Sequence, residues 1–213
     1  TIEILIMVLF FDNSIHADLQ DFSFSKEESK HLAKVLRKKE GDSITLTNGR
    51  GLEWRGKLTS VLPNAAQAKK IESILHPTPE KQIHLAIAPT KNNNRMEWLI
   101  EKLTELGVSS ITPLLCEHSE RKVTKELRFE KITIAALKQS QQFHLPKIHP
   151  LTPFIDFIQT EVQSGFIAHC ADGPKQALAS CNLNHKNVTL LIGPEGDFSK
   201  DEIQQIRRAA CRE

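Results

Sequence analysis

The sequence predicts an α/β protein of two domains, a small β-barrel at residues 1–75 and an α/β domain at residues 76–213. Three observations support this division. Up to about residue 75, short alternating apolar segments surround one amphipathic helix. The segment His76-Pro77-Thr78-Pro79 then favours an extended linker, because proline restricts the backbone and lacks a donor. Beyond the linker, strands alternate with helices, which indicates a parallel sheet with helices on its faces.

The first domain is expected to hold a single helix. Ser25 and Glu28 form a capping box at its start. Leu32, Val35 and Leu36 then recur at helical spacing, which predicts that they form its apolar face and that His31 and the lysines face outward. Asn48-Gly49 lies between two alternating segments and indicates a hairpin turn. The predicted strands of this domain are Met7 to Phe11, Ser43 to Thr47, Leu52 to Val61 and Gln67 to Ile74.

The second domain should contain four strands and three main helices. Ser199 and Glu202 form another capping box, which predicts the start of the last helix. Ligands of such folds bind beyond the carboxyl ends of the strands. The predicted strands are Ile83 to Ala88, Ser110 to Leu115, Phe166 to Cys170 and Val188 to Ile192, and the two earlier helices are Arg95 to Leu106 and about Lys125 to Gln142.

The composition disfavours membrane and secreted proteins. No apolar run approaches the roughly 20 residues of a membrane span. The apolar start Ile2 to Phe11 is interrupted by Glu3 and lacks a basic leader and a cleavage site. The four cysteines are widely spaced and form no metal-binding pattern with histidine. We therefore expect a cytoplasmic protein with reduced thiols and no bound metal.

The net charge of +2 hides two basic clusters. The first consists of Lys26, Lys30, Lys34, Arg37, Lys38 and Lys39, and the second of Arg121, Lys122, Lys125, Arg128 and Lys131. Such clusters are common on solvated helix faces. They become a surface for RNA if one polyanion touches both, because phosphate contacts supply affinity that does not depend on base sequence.

The segment Leu190 to Ser199, which reads LLIGPEGDFS, is the most informative part of the chain. A buried strand breaks there into a glycine-rich turn and then opens a helix. A side chain at Gly193 or Gly196 would obstruct close approach of a ligand or require a disfavoured conformation, and exposed amides before the helix could bind polar ligand edges. The GxGxxG and GxxxxGKS/T spacings are absent, which disfavours a Rossmann dinucleotide site and a P-loop.

The motifs of the second domain resemble one known family. The IGPEG motif of this turn, Lys91 with Arg95 to Trp98, Glu101 to Val108, and Glu117 to Arg121 follow one another as in the ribosomal RNA uridine-N3 methyltransferases of the SPOUT class. The basic helix and the NGRG turn at residues 48–51 are similar to the amino-terminal domain of that family. Together these segments cover most of the chain, and the set is more specific than any one motif.

The resemblance implies a fold and an activity. The fold would be a PUA-like barrel for RNA binding followed by a SPOUT α/β domain with a deep trefoil knot. The activity would be methylation of N3 of a uridine in small-subunit ribosomal RNA by a homodimer, with S-adenosylmethionine bound in the knot loops. The implied cofactor residues are Ile167, His169, Asp172, Gly173, Leu191, Ile192, Gly193, Pro194, Glu195 and Gly196. The residues expected to contact RNA are Lys34, Arg37, Lys38, Arg50, Lys91, Arg95 and Arg121.

The reaction needs alignment of the methyl group and stabilisation of charge on the uracil oxygens. Arg95 and Arg121 are the candidates for the second task, and Lys91 is a further cation nearby, although each is also suited to a phosphate contact or an ion pair. No residue is assigned as a general base. His169 at the end of an apolar strand is also typical of a structural histidine, and Glu195 of a carboxylate that stabilises a helix start.

Two departures from the family leave alternatives open. The long helix ends in Gln139-Ser140-Gln141-Gln142, where the family has an arginine, and the family's final motif does not follow Ala210. From the second departure we expect an incomplete knot and weak binding of S-adenosylmethionine. A SPOUT enzyme for another RNA, such as transfer RNA, and a non-catalytic RNA-binding protein of the same fold are the alternatives.

Overall fold

The computed structural model describes residues 8–159, 165–170, 172, 176–181 and 185–210. The chain divides into two compact units. The first holds the residues up to Thr78 together with Leu137–Leu145, and the second holds Pro79–Ala136 and the residues from Pro146 onward. Met7, where the first strand was predicted to start, Gly173 and Cys211 lie outside the described residues.

The first unit is built on one five-stranded sheet. Its elements are β1 (Leu9–Phe11), β2 (Asp21–Ser23), α1 (Lys26–Lys30), β3 (Ser43–Thr47), β4 (Leu52–Leu62) and β5 (Ala65–Leu75). The strand order is β1-β3-β4-β5-β2, antiparallel except between β1 and β3. Trp54 is fully buried in the core of this unit with Phe10, Leu32 and Leu46, and its indole nitrogen donates to the carbonyl of Leu19 at 2.9 Å.

The helix of the first unit starts as predicted, but its apolar face differs from the prediction. The Ser25 hydroxyl accepts a hydrogen bond from the Glu28 amide at 3.2 Å. After Lys30 the chain widens into a π-helical turn at His31–Val35, closed by the Leu36 amide on the carbonyl of His31. This wider turn breaks the α-helical spacing, so Leu32 is buried whereas Val35 is 69% exposed. The prediction that Val35 belongs to the apolar face is therefore wrong.

The loop at residues 48–51 joins β3 to β4 as a hairpin, as the Asn48-Gly49 pair predicted. Gly51 has a φ of +87°, and a Cβ atom there would lie 2.5 Å from the carbonyl oxygen of His76. The loop is paired with residues 143–145, because the Gly51 amide donates to Phe143 and the Leu145 amide donates to Gly49, each at 2.8 Å.

The second unit is built on a parallel sheet of order β10-β11-β6-β7-β8. Its strands are β6 (Gln82–Ile87), β7 (Ser110–Leu115), β8 (Lys147–Ile148), β9 (Thr152–Pro153), which pairs with β7, β10 (Gly165–Ala168) and β11 (Asn187–Ile192). Its helices are α2 (Asn93–Glu105), α3 (Glu126–Ser140), whose last turn groups with the first unit, α4 (Phe154–Gln159) and α5 (Lys200–Ala210). Among the described residues, no helix is both long and apolar enough to cross a membrane.

Apolar clusters cover both faces of this sheet. Ala86 of β6 belongs to one cluster, with Phe154, Leu191 and Phe198, whereas its neighbour Leu85 belongs to another. This alternation is expected for a strand that is buried on both faces. Because β6 lies between β11 and β7, the loops that follow these parallel strands meet at one edge of the sheet.

Candidate functional site

The loop at residues 193–199 follows β11 and forms a tight turn. The Asp197 amide donates to the carbonyl of Pro194 at 2.9 Å. Asp197 has a φ of +63°, and its carboxylate accepts hydrogen bonds from the amides of Cys170 at 2.6 Å and Phe198 at 2.8 Å. The loop is thereby joined to the chain that leaves β10, which ends at Ala168, so His169 and Cys170 follow the strand rather than belong to it as predicted.

The two glycines of the loop lie close to side chains of neighbouring segments. A Cβ atom at Gly193 would lie 2.9 Å from a ring carbon of Phe198, and one at Gly196 would lie 3.2 Å from Cβ of His118. Neither glycine has a positive φ, and the left-handed residue of the turn is Asp197. The expected conformational demand on Gly193 and Gly196 is therefore wrong. The close contacts are with side chains of the chain itself, so the expected obstruction of a ligand stays a prediction.

The end of the loop is fixed by the capping box of α5. The Glu202 amide donates to the Ser199 hydroxyl at 3.2 Å, and the Ser199 amide donates back to Oε2 of Glu202 at 2.9 Å. The other oxygen of this buried carboxylate accepts from the amide of Glu117, which follows β7, at 2.9 Å. Glu202 thus links the loops that follow β11 and β7.

Glu195 joins the same loop to the segment that follows β6. Its Oε1 atom accepts a hydrogen bond from the Lys91 amide at 2.9 Å. This bond, with a smaller contribution from the Arg95 charge, holds the pKa of the Glu195 carboxyl below its usual value. Glu195 is therefore ionised at neutral pH and stabilises a contact between two loops. The sequence predicted a cofactor contact or a carboxylate at a helix start, and not this contact between loops.

The three cations near these loops differ in their partners. Arg121 donates from Nε to the carbonyl of Thr90 at 3.0 Å and from a terminal nitrogen to the carbonyl of Lys91 at 2.6 Å. The Lys91 ammonium pairs with Glu120 at 2.8 Å, an exposed ion pair. Arg95 is exposed in the first turn of α2 and has no hydrogen bond or ion pair with the residues that the structure describes.

The remaining predicted cofactor residues lie along β10 and β11. The side chain of Leu191 is buried in the core, and Ile167 packs against the same cluster, so these residues can offer a ligand mainly their backbone. The Nδ1 atom of His169 is buried and has no hydrogen-bond partner in the described part of the chain. Asp172 is exposed, and Gly173 is outside the described residues.

The RNA contacts predicted for the first domain lie in the first unit. Lys34 and Arg37 are exposed at the π-helical turn and just beyond it, and Lys38 is half-buried. Arg50 is exposed and donates to the carbonyl of Asn13 at 3.0 Å.

Sequence reasoning missed the side chains that connect the loops. His118 contacts the carbonyls of Gly196 and Asp197, and Asp197 contacts Cys170, yet neither was nominated as a site residue. Asp197 carried a weak signal, because aspartate in a glycine-rich turn tolerates the left-handed conformation. His118 carried only its place in the motif Glu117 to Arg121, because its partners are distant in sequence.

Two models of known protein families match this chain. A model of the RNA methyltransferase domain matches residues 76–213, which is more than half of the chain, and a model of the RNA methyltransferase PUA domain matches residues 24–71. The chain belongs to the RNA methyltransferase family. The predicted combination of an amino-terminal PUA-like unit with a methyltransferase domain is thereby confirmed, whereas the trefoil knot stays a prediction.

Named relatives and solved structures resemble this RNA methyltransferase over most of its length. The ribosomal RNA small subunit methyltransferase E of Buchnera aphidicola subsp. Acyrthosiphon pisum is 30% identical over 89% of this chain and 78% of its own. A probable rRNA-methyltransferase from Porphyromonas gingivalis has a TM-score of 0.84 at 32% identity, covering 95% of this chain and 86% of its own. A putative methyltransferase from Legionella pneumophila, solved in complex with its cofactor S-adenosylmethionine, has a TM-score of 0.82 at 26% identity with the same coverage.

Proposed function

We propose that this chain uses S-adenosylmethionine to methylate N3 of a uridine in small-subunit ribosomal RNA. The observation that carries the proposal is the match to the Buchnera methyltransferase, which is named for small-subunit ribosomal RNA and extends over both the PUA-like and the methyltransferase regions. The cofactor is supported by the Legionella neighbour, which is similar over 95% of this chain and holds S-adenosylmethionine.

The residues at the carboxyl ends of the strands suit this cofactor. In the loop at residues 193–199, Gly193 and Gly196 lie against Phe198 and His118, and because they carry no side chains the loop backbone would be able to contact a ligand. The buried Nδ1 of His169, which has no hydrogen-bond partner among the described residues, is a polar atom that a bound ligand can satisfy. In the proposal, His169 and residues 191–196 hold the cofactor together with Ile167 and Asp172. Gly173, which the resemblance also implies, lies outside the described residues.

S-adenosylmethionine supplies an activated methyl group, so the protein has to align the uridine with it and stabilise the charge that develops on the uracil oxygens. Arg95 is the cation that we assign to this charge, because its guanidinium is exposed and unpaired among the described residues. Arg121 and Lys91 are tied to neighbouring loops, so in this proposal they position the site and contact phosphates at its edge.

Lys34, Arg37, Lys38 and Arg50 form the phosphate-binding surface of the PUA-like unit. The active form is a homodimer in the cytoplasm, as the resemblance to the family and the reduced cysteines imply.

The proposal is tested by incubating the protein with S-adenosylmethionine labelled in the methyl group and either small ribosomal subunits, their free RNA or transfer RNA. Nuclease digestion and mass spectrometry then identify the labelled nucleoside. We expect N3-methyluridine in small-subunit RNA. Label in transfer RNA would mean that transfer RNA is the substrate instead. RNA binding without any label would support a non-catalytic protein.

A further inference from the structure

His118 lies in the segment Cys116–Arg121, which follows β7, but its ring contacts the loop that follows β11. Its Nδ1 atom is 3.2 Å from the carbonyl oxygen of Gly196 and 3.1 Å from that of Asp197. Both partners can only accept, so Nδ1 carries a proton and donates to both. Since Cβ of His118 lies 3.2 Å from the position of a Cβ on Gly196, the side chain rests directly on the turn.

The turn under His118 needs this kind of support. Asp197 holds a left-handed backbone conformation that is costly for residues other than glycine and persists only where the surroundings enforce it. Glu195 and Gly196 are exposed, so core packing does not hold the centre of the turn. Its shape depends instead on hydrogen bonds from other segments.

Hydrogen bonds from several neighbouring segments surround the loop. Glu195 connects it to Lys91, Asp197 connects it to Cys170, and Glu202 connects its end to Glu117. These three contacts use carboxylates of the loop or of α5 as acceptors. Among the hydrogen bonds of the described residues, His118 is the side chain from outside the loop that donates to the carbonyls at the centre of the loop.

We infer that His118 is a positioning residue for the cofactor loop, which it holds in its binding conformation by donating to Gly196 and Asp197. The inference rests on the proposed function, since it takes residues 193–199 as the loop that binds S-adenosylmethionine. His118 is exposed, so its replacement should change the loop with little effect on the core.

Three substitutions separate the donor from the rest of the side chain. His118→Ala removes the donor and should weaken binding of S-adenosylmethionine about tenfold in a calorimetric titration, the loss of about one to two hydrogen bonds. His118→Asn places an amide NH2 near the position of Nδ1 and should restore most of the affinity. His118→Asp has the same shape but no donor when ionised, so it should bind at least as weakly as His118→Ala.

A second readout does not depend on the cofactor. In hydrogen exchange of the free protein, the amides of Gly193 and of residues 195–199 should exchange faster in His118→Ala and His118→Asp than in the wild type or His118→Asn. His185→Ala is the matched control, because it removes an exposed histidine at the opposite end of β11. It should leave both the exchange and the affinity unchanged.

The outcomes distinguish the inference from the proposed function. Unchanged exchange of the loop in His118→Ala overturns the inference, whether or not the protein binds S-adenosylmethionine. Faster exchange with unchanged affinity also overturns it, because the loop would then not limit binding. A wild type that binds no S-adenosylmethionine overturns the proposed function and leaves the exchange experiment to decide whether His118 holds the loop.

Discussion

The cations Arg95, Arg121 and Lys91 cannot be distinguished by role from the sequence. Their surroundings in the structure give them different tasks. Arg121 uses its planar guanidinium to hold two successive carbonyls, a geometry that lysine cannot reproduce. Lys91 pairs with an exposed carboxylate, which contributes little to stability. Arg95 alone of the three keeps its donors unpaired among the described residues, so it is the one that a substrate can engage without breaking an existing contact.

Arg95→Ala should lower kcat for RNA methylation about 10- to 100-fold, because it removes a cation that stabilises the negative charge developing on the uracil oxygens in the transition state. Affinity for S-adenosylmethionine should stay within about twofold, a difference well below 1 kcal/mol. Single-turnover methylation and calorimetry measure the two effects, and Arg95→Lys, which keeps the charge, should recover part of the rate. Wild-type kcat in Arg95→Ala would exclude Arg95 from this role.

His84 makes the stability of the second unit depend on pH. It lies on β6, accepts or donates a hydrogen bond with the Thr112 hydroxyl at 2.7 Å, and stacks near His149. Burial, with a smaller effect of the His149 charge, lowers the pKa of His84 to about 4. The unfolded chain binds a proton near pH 6.5 whereas the folded protein does not, so stability should fall as pH decreases from about 6.5 to 4.

His84→Gln tests this dependence, because glutamine keeps a polar group for Thr112 but does not titrate. Between pH 7.5 and 5 the wild type should lose about 1–2 kcal/mol more than the variant, after allowance for partial exposure of the ring. Urea unfolding at the two pH values gives the difference. Equal losses in both proteins would mean that His84 does not take up a proton on unfolding.

At the scale of elements, capping and periodicity predicted most helix starts and strands, because both are set by residues close in sequence. Ser25 and Ser199 cap helices as expected, and β3 covers the predicted residues. The same local rules failed at Val35, where a π-helical turn changes the spacing. They could not reveal the bonds from His118 and Glu195 to other loops, because nothing in a side chain specifies a partner about 80 to 100 residues away.

Gly193→Ala should weaken binding of S-adenosylmethionine about tenfold or more, a cost of about 1.4 kcal/mol. The physical reason is the contact of 2.9 Å between its Cβ and the buried ring of Phe198, which forces the loop or the ring to move. Gly196→Ala, with a contact of 3.2 Å to an exposed side chain, should have a smaller effect. Calorimetric titration of both variants gives the order, and wild-type affinity in Gly193→Ala would remove this loop from the site.

At the scale of the whole molecule, the parallel sheet explains why distant motifs belong to one site. The order β10-β11-β6-β7-β8 brings the ends of strands from both halves of the second unit to one edge. Alternating strands and helices predicted the parallel sheet but not this order, because strand order depends on which neighbours pack best. The sequence likewise predicted a basic surface on the first unit, and the RNA contacts expected there stay a prediction.

Replacement of both Arg37 and Lys38 by alanine should weaken RNA binding and reduce the slope of log affinity against log salt by about 1.5, since each lost phosphate contact accounts for about 0.7 to 0.9. Lys57 and Lys69 are exposed and pair across β4 and β5 of the same unit, so their double alanine variant is a control of equal charge. Filter binding at several salt concentrations measures both slopes. Equal slopes in the two double variants would favour a solvated basic face.

The first unit includes a segment that the predicted boundary at residues 75 and 76 leaves out. Residues 143–145 pair with the loop at Gly49 and Gly51, and the Phe143 ring stacks on His76 with centroids 4.3 Å apart. A Cβ atom at Gly49 would lie 2.8 Å from Cβ of Leu145, so the segment lies against this loop. The segment thus supplies both hydrogen bonds and packing to the first unit.

We therefore expect a fragment of residues 1–78 to be less stable than the same fragment joined by a glycine-serine linker to residues 137–145. Two backbone hydrogen bonds and the aromatic stack suggest a difference of about 2 kcal/mol, reduced by the entropy of closing the linker. Urea unfolding of both proteins measures it. Phe143→Ala in the linked protein should lose part of the gain, whereas equal midpoints for the fragment and the linked protein would show that residues 137–145 do not stabilise the first unit.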